Sequence, residues 1–340
     1  MAPRTWRLAL VGLGHVGKGL CRLLAERAEQ IEADHAARFL LAAVSDLSAG
    51  TRVDADGIDP KELLEAAEAA DDGHGGRIGE RADSLTVIEA AEADILLEVT
   101  PTAATGEPAA SYCRAAMRRG MHVVTTNKGP PSLHHREMRE LAKSHGVQFL
   151  FEGAVMSGSP LLSLFRGGLA GAQVRAVTGI VNGTTNYLIT EMEAGISFDA
   201  ALSRAQELGY AEANPRADVD GHDAAAKLAI LANVAMGRAL TPSDVAREPL
   251  TAIDAAQVAA AAAAGRPWRY VASLGNGAAT VGPRQLDADH PLAGVRGATN
   301  AVTIETEMLG EVTVVGPGAG PRETAFALLA DLLEIHRSAA

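Results

Sequence analysis

The residues best suited to proton chemistry gather in one stretch, GYAEANPRADVDGHDAAAKLAIL at 209 to 231. It carries Glu212, Asp218, Asp220, Asp223 and Lys227 in a loop that runs into an apolar helix. Asn214, Pro215, Asp218 and Gly221 supply turn chemistry, and from Asp223 onward Leu228, Leu231, Val234 and Ala235 recur at helical spacing. Asp223 and Lys227 therefore share one helix face, a turn apart. One reading is an i,i+4 surface ion pair contributing about a few tenths of a kcal/mol. The flanking Ala224, Ala225, Ala226, Leu228 and Ala229 favour another, an ammonium on a buried helix that needs a carboxylate beside it. A lysine held that way is suited to proton transfer.

The elements that must position this chemistry begin at the N-terminus. Residues 6 to 11 form a short apolar run, the loop Gly12-Leu13-Gly14-His15-Val16-Gly17 follows, and Val16, Leu20, Leu23, Leu24 and Ile31 then repeat at helical intervals. Strand, glycine turn and helix in that order make a dinucleotide fingerprint. Its first glycine allows the tight turn, its second admits a pyrophosphate, and its third allows close helix packing. The second strand, 39 to 45, ends at Asp46, an acidic side chain that would accept hydrogen bonds from the adenosine ribose and repel a 2′-phosphate, which favours NAD over NADP. Asp46 lies further from the loop than the usual spacing of about 20 residues. A plain turn aspartate, with Arg52 left to meet a phosphate, is the competing reading.

Alternation then continues with a strand at 95 to 99, a helix at 111 to 119 and a strand at 121 to 126. Right-handed βαβ order puts the C-terminal end of each strand on the ligand side. Thr100 and Pro101 follow one such end, and Asn127, Lys128 and Gly129 the next, so Lys128 is a cation at the cofactor crevice. Residues 50 to 83 are rich in Asp, Glu, Gly and Ala, with an exposed loop expected at 71 to 76 and no role for its His74.

At 340 residues, with 47% hydrophobic and 21% charged side chains, the chain has room for two soluble domains. A net charge of −12 argues against nucleic acid and anionic membrane surfaces as partners. No run reaches the roughly 18 apolar residues of a spanning helix, and the N-terminus has no signal-peptide shape. Cys21 and Cys113 lack metal-ligand spacing and read as buried thiols of a reducing cytoplasm.

VVTTNKG (123 to 129), FEGAVMSGSP (151 to 160), GIVNGTTNYLI (179 to 189), the 209 to 231 stretch and GPGAGPRETA (316 to 325) stand in the order and spacing of homoserine dehydrogenases. The resemblance covers essentially the whole chain. It implies an α/β protein, with an N-terminal Rossmann dinucleotide-binding domain at 1–150, completed by 316–340, and an α+β substrate and dimerisation domain with a mixed sheet at 151–315. It implies reversible oxidation of L-homoserine to L-aspartate 4-semialdehyde with NAD or NADP, in the biosynthesis of the aspartate family of amino acids, by a homodimer. The chain ends without room for the kinase or regulatory extensions of some relatives, so feedback through an appended domain is not expected.

Residue by residue, Asn182, Gly183, Thr184, Tyr210, Glu212 and Asp218 resemble the family's substrate-side groups. An α-ammonium needs carboxylates, which Glu212 and Asp218 supply. Glu152, Val155, Ser157 and Ser159 resemble a sodium site, with Met156, Ser157 and Ser159 departing from the family's usual loop. Gly318 and Gly320 resemble a turn that returns to the cofactor. Hydride addition to an aldehyde leaves a developing alkoxide, on which Lys227 would act as proton donor, oriented by Asp223, with Lys128 as electrostatic partner. Another amino-acid dehydrogenase of the same architecture, and a non-catalytic dinucleotide sensor, are the competing readings.

Overall fold

The computed structural model describes residues 2–71 and 77–339. Asp71 closes a helix begun at Pro60, and the rest of the loop expected at 71 to 76, His74 included, lies outside the described residues. The chain divides into two compact units, Met1–Gly158 with Gly320–Ala340, and Ser159–Ala319.

The first unit is built on six strands, β1 (Arg4–Val11), β2 (Ala37–Asp46), β3 (Gly50–Ile58), β4 (Ile95–Glu98), β5 (His122–Thr125) and β6 (Phe149–Leu150), in the order β3-β2-β1-β4-β5-β6. All neighbours pair in parallel except the antiparallel edge strand β3. Sequence reading passes over β3 because Arg, two Asp and Gly in GTRVDADGI resemble a loop. An edge strand tolerates such polar residues, since one of its flanks faces solvent. The order reverses at β1, which has β2 on one side and β4 on the other, and the crevice outside such a reversal is where α/β sheets bind ligands.

Leu8 and Leu10 of β1 and Ile95 and Leu97 of β4 form one core with Leu20, Leu24 and Ile31 of the helix His15–His35. The last helix, Pro321–Ser338, adds Ala325, Leu328, Leu332 and Ile335 to that core. A Cβ on Gly19 would stand 2.9 Å from the carbonyl oxygen of Pro321, so only glycine lets the two helices approach this closely. The Trp6 indole donates to His336 Nδ1 at 3.1 Å, which leaves the ring's other nitrogen protonated to donate to His35 O at 2.9 Å. The C-terminal helix is thereby pinned to the first strand and first helix. Cys21 and Cys113 are buried free thiols, and among the described residues no helix is long and apolar enough to cross a membrane.

The second unit is a mixed sheet of β7 (Val174–Ile180), β8 (Ala246–Arg247), β9 (Trp268–Leu274), β10 (Thr280–Gln285), β11 (Thr299–Thr306) and β12 (Gly310–Pro317). Their order is β12-β11-β7-β9-β10-β8, antiparallel except for the β10–β8 pair. Sequence reading, which takes 268–273, 280–283 and 302–307 as strands, finds β9, β10 and β11 and misses the other three. The alanine-rich segment forms the helix Ala255–Ala263, with Asp254 and Gln257 closing a reciprocal capping box at its start. Two further helices, Gly183–Glu193 and His222–Ala235, carry the polar cluster described next.

Candidate active site

The glycine loop has the shape of a phosphate cradle. Gly12 has φ +100° and a Cβ there would lie 2.9 Å from Val99 O, while a Cβ on Gly17 would collide with Gly12 O. Gly14 differs, because nothing lies within 4 Å of where its Cβ would be. It N-caps the 21-residue helix with no side-chain partner, so the open space lies at a helix N-terminus suited to an anion. Asp46 stands beside this loop despite the long connection: Leu13 N donates to its Oδ2 at 2.8 Å, and Oδ1 accepts from Ser48 N, Ser48 Oγ and Ala49 N. Burial raises its pKa, but these bonds outweigh burial and hold it below the ordinary aspartate value. One acceptor position remains on Oδ2, enough for a single ribose hydroxyl. Arg52 is turned to Asp54 at 3.5 Å and Glu62 at 3.7 Å.

At the ends of β4 and β5, Glu98 is fully buried, and burial raises the pKa of its carboxyl. Its Oε1 accepts from Thr100 N at 2.9 Å and from the Thr100 hydroxyl, and its Oε2 accepts from Thr125 Oγ1 at 2.7 Å. Asn127 is buried too, and its amide nitrogen donates to Thr100 O at 3.0 Å and Pro101 O at 3.3 Å. The half-buried Lys128 follows, with its main-chain N–H on Thr102 Oγ1 at 3.2 Å. Neither Glu98 nor Asn127 is a candidate on sequence grounds. A glutamate closing the apolar ILLE strand is the signal that could have found the first.

In the second unit, Asn182 N-caps the helix Gly183–Glu193, its Oδ1 accepting from Thr185 N at 2.9 Å and Thr185 Oγ1 at 3.0 Å. Its amide nitrogen donates to Asp218 Oδ1 at 2.7 Å and Asp223 Oδ2 at 3.0 Å. Both amide protons are thus spent on carboxylates, so Asn182 holds Asp218 and Asp223 and has no donor left for a ligand. Lys227 is buried, one turn beyond Asp223; its Nζ lies 3.0 Å from Asp223 Oδ2 and donates to Val181 O at 2.7 Å. The pair is thus an interior one, not a surface ion pair. Asp218 itself lies in a short turn of helix, Arg216–Val219, just before this helix, where sequence reading expects only loop. Gly221, at φ +78°, starts the next helix, and a Cβ there would collide with the Tyr270 hydroxyl.

The other candidates are placed differently. Thr184 donates its hydroxyl to Tyr210 O at 2.6 Å, and the half-exposed Tyr210 ring packs on Tyr187 with centroids 5.1 Å apart. Gly183 is required by crowding, since its Cβ would lie 2.8 Å from Ala298 O. Glu212 is exposed, with its main-chain carbonyl taken by Gln206 Nε2, and its carboxylate is not drawn into the Asn182 cluster. Gly318 leaves room for the Asn300 carboxamide, and Gly320, at φ +136°, caps the last helix where Glu323 folds back.

Glu152, Val155, Ser157 and Ser159 are all buried. Glu152 N donates to Asp331 Oδ2 at 2.8 Å, Ser157 has φ +51° and shares a hydroxyl bond with Thr324 at 2.8 Å, and Ser159 Oγ donates to Pro317 O at 3.1 Å. Among the described residues no group of three or more His, Cys, Asp or Glu could hold a metal. Glu152 is the one carboxylate among these four residues, and main-chain carbonyls are oxygen ligands of the kind a hard cation takes.

Two family models match the chain: "Homoserine dehydrogenase, NAD binding domain" at residues 12–152 and "Homoserine dehydrogenase" at 160–333. The chain is 44% identical to an NAD(+)-dependent homoserine dehydrogenase of Pseudomonas canavaninivorans, over 98% of this chain and 97% of that protein. Among solved structures it resembles a protein of Archaeoglobus fulgidus assigned as homoserine dehydrogenase, with a TM-score of 0.89 and 35% identity over 97% of this chain and 99% of that one. It also resembles a hyperthermophilic archaeal homoserine dehydrogenase in complex with NADPH, with a TM-score of 0.85 and 29% identity over 98% of each.

Proposed function

The chain belongs to the homoserine dehydrogenase family, and from that premise we propose how its residues divide the work of NAD(P)-dependent oxidation of L-homoserine to L-aspartate 4-semialdehyde. The observation that carries the assignment is the cluster in which Asn182 joins Asp218 and Asp223, with Lys227 held by Asp223 and Val181 O. A lysine fixed by two acceptors has its ammonium aimed rather than mobile, which is what proton transfer to a single oxygen demands. When bound, the nicotinamide accepts the hydride in oxidation and returns it in reduction. Lys227 takes the proton from the substrate hydroxyl on its neutral amine in oxidation, and as the resulting ammonium restores it to the alkoxide in reduction. Lys128 stabilises the negative charge on that oxygen. Asp218, with Glu212 once the exposed loop has met the ligand, binds the substrate's α-ammonium.

The first unit supplies the cofactor cradle: Gly12, Gly14 and Gly17 with the helix N-terminus for the pyrophosphate, Thr100 and Pro101 at the β4 end, and Asp46 for the ribose. We assign NAD as the preferred cofactor because an ionised Asp46 lies beside the loop and Arg52 is engaged by acidic neighbours. The family uses both cofactors, since one relative is named NAD(+)-dependent and another was solved with NADPH. Glu152, Val155, Ser157 and Ser159 would hold a sodium ion that rigidifies their loop. A homodimer is supported by the exposed Met308, Leu309 and Val315 around the β12 edge.

The test is a steady-state assay of L-homoserine oxidation with NAD and NADP in parallel, beside other small amino acids. The expected result is reduced nicotinamide formed from L-homoserine, with higher kcat/KM for NAD. Reduction driven better by another amino acid would refute the substrate assignment.

A further inference from the structure

We propose that Glu98 is a positioning residue of the cofactor crevice, its buried carboxylate fixing together the two strand-end loops that present Thr100, Pro101 and Lys128. The proposal rests on the reading that these loops receive the dinucleotide. Ile95, Leu96 and Leu97 before it are fully buried, and an apolar fourth residue would complete the strand without the penalty of burying a carboxylate. The hydrogen bonds show what the carboxylate does instead. Oε1 takes Thr100 N and the Thr100 hydroxyl, and Oε2 takes Thr125 Oγ1. Thr125 Oγ1, having donated, accepts Asn127 N at 3.0 Å. Asn127 returns to Thr100 O and Pro101 O through its amide nitrogen, and its Oδ1 accepts Gly129 N at 2.8 Å.

The bonds close a ring: Glu98 to Thr100, Thr100 to Asn127, Asn127 to Thr125, and Thr125 back to Glu98. Lys128 sits between two residues, Asn127 and Gly129, that the ring immobilises. The strands themselves pair only as far as Glu98 and Thr125, so beyond that point these bonds hold the two loops in register. Such a network is worth more as a unit than bond by bond, because each hydroxyl donates and accepts at once.

Glu98→Gln tests it with little change of shape. The glutamine oxygen can keep both Thr100 bonds, but its nitrogen cannot accept the proton that Thr125 Oγ1 donates, so that hydroxyl either turns away or faces the amide with its own proton unpaired, and the link from β4 to β5 is weakened. We expect the Kd for NADH, read from nicotinamide fluorescence, and the KM for NAD to rise about fivefold or more, the equivalent of one hydrogen bond. KM for L-homoserine should stay within about twofold, since the lost bond does not touch that substrate. Thr125→Val should reproduce the effect, Thr125→Ser should restore it, and the double variant with Glu98→Gln should be no worse than the worse single one. NADH affinity within twofold of wild type in Glu98→Gln, a parallel rise in both KM values, or a Thr125→Ser as defective as Thr125→Val would overturn the proposal. Gly14→Val, which fills the cradle, separates the two readings. If it abolishes NADH binding while Glu98→Gln leaves it intact, only the Glu98 inference falls; if it binds NADH normally, the crevice reading falls as well.

Discussion

Replacing Asn182 separates helix capping from control of the active-site carboxylates. Asn182→Ala removes the donations to Asp218 and Asp223 and the cap on Gly183–Glu193 together. Hydrogen bonds to charged groups contribute about 1.5–3 kcal/mol each, and loss of an N-cap costs about 1 kcal/mol. In the wild type Asp223 also pairs with Lys227, at 3.0 Å, and it keeps that partner in a looser geometry after the change, so the lower figure is taken for both bonds and the total is about 4 kcal/mol. Asn182→Ser keeps an oxygen for the helix N–H but cannot reach two carboxylates, so it should recover about 1 kcal/mol of that loss. Activity should not follow stability. In both variants kcat should fall by about tenfold or more, because Asp223 no longer holds Lys227 in one geometry, and KM for L-homoserine should rise through Asp218. Urea unfolding and steady-state kinetics on the wild type and both variants decide the matter. Serine and alanine variants of equal stability, or a serine variant with kcat within twofold of wild type, would refute the reasoning.

Asp46→Asn removes charge with little change of shape and should raise the NADP/NAD ratio of kcat/KM by about tenfold, or roughly 1.4 kcal/mol, in parallel assays; an unchanged ratio would make Asp46 a turn residue only. Glu212→Gln and Asp218→Asn should raise KM for L-homoserine far more than KM for the cofactor, whereas equal rises would indicate a folding defect. His135, packed edge-on against Phe151 at 6.0 Å, has its pKa lowered to about 4 by burial, with Arg139 adding to the effect. Because the folded protein binds this proton less readily than the unfolded chain, stability should be lost as pH falls from about 6.5 towards 4. His135→Phe should flatten that part of a thermal-unfolding profile against pH, and an unchanged slope would contradict the assignment.

What the sequence made legible was periodic or locally punctuated. The glycine loop, the parallel strands and the Asp223–Lys227 spacing depend on intervals of two to four residues. Asp46 could be named, but its place beside Leu13 depends on how β2 returns along β1, which no local spacing shows. The edge strands β3 and β12 were missed for a related reason: exposure on one flank lets polar residues or glycine break the pattern. Glu98 was hidden by long-range contact: it looks ordinary in its own segment and acquires a role through Thr125, 27 positions away. Asn182 was named through the resemblance as a substrate-side group, but its bonds to Asp218 and Asp223, 36 and 41 positions away, are shown by no local spacing. For Thr184, whose hydroxyl the resemblance offered to substrate, folding instead directs it to Tyr210 O.

The most direct test of the central claim is the pre-steady-state burst of hydride transfer by Lys227→Ala, with NAD and L-homoserine both saturating and reduced nicotinamide followed in time. Lys227 as the group that moves the substrate proton predicts a rate at least about 10²-fold below wild type, with cofactor affinity unchanged. Lys128→Ala should also be slow, and on the proposal that both lysines act on one oxygen the double variant should lose less than the sum. A Lys227→Ala burst within about threefold of the wild-type rate would contradict the account.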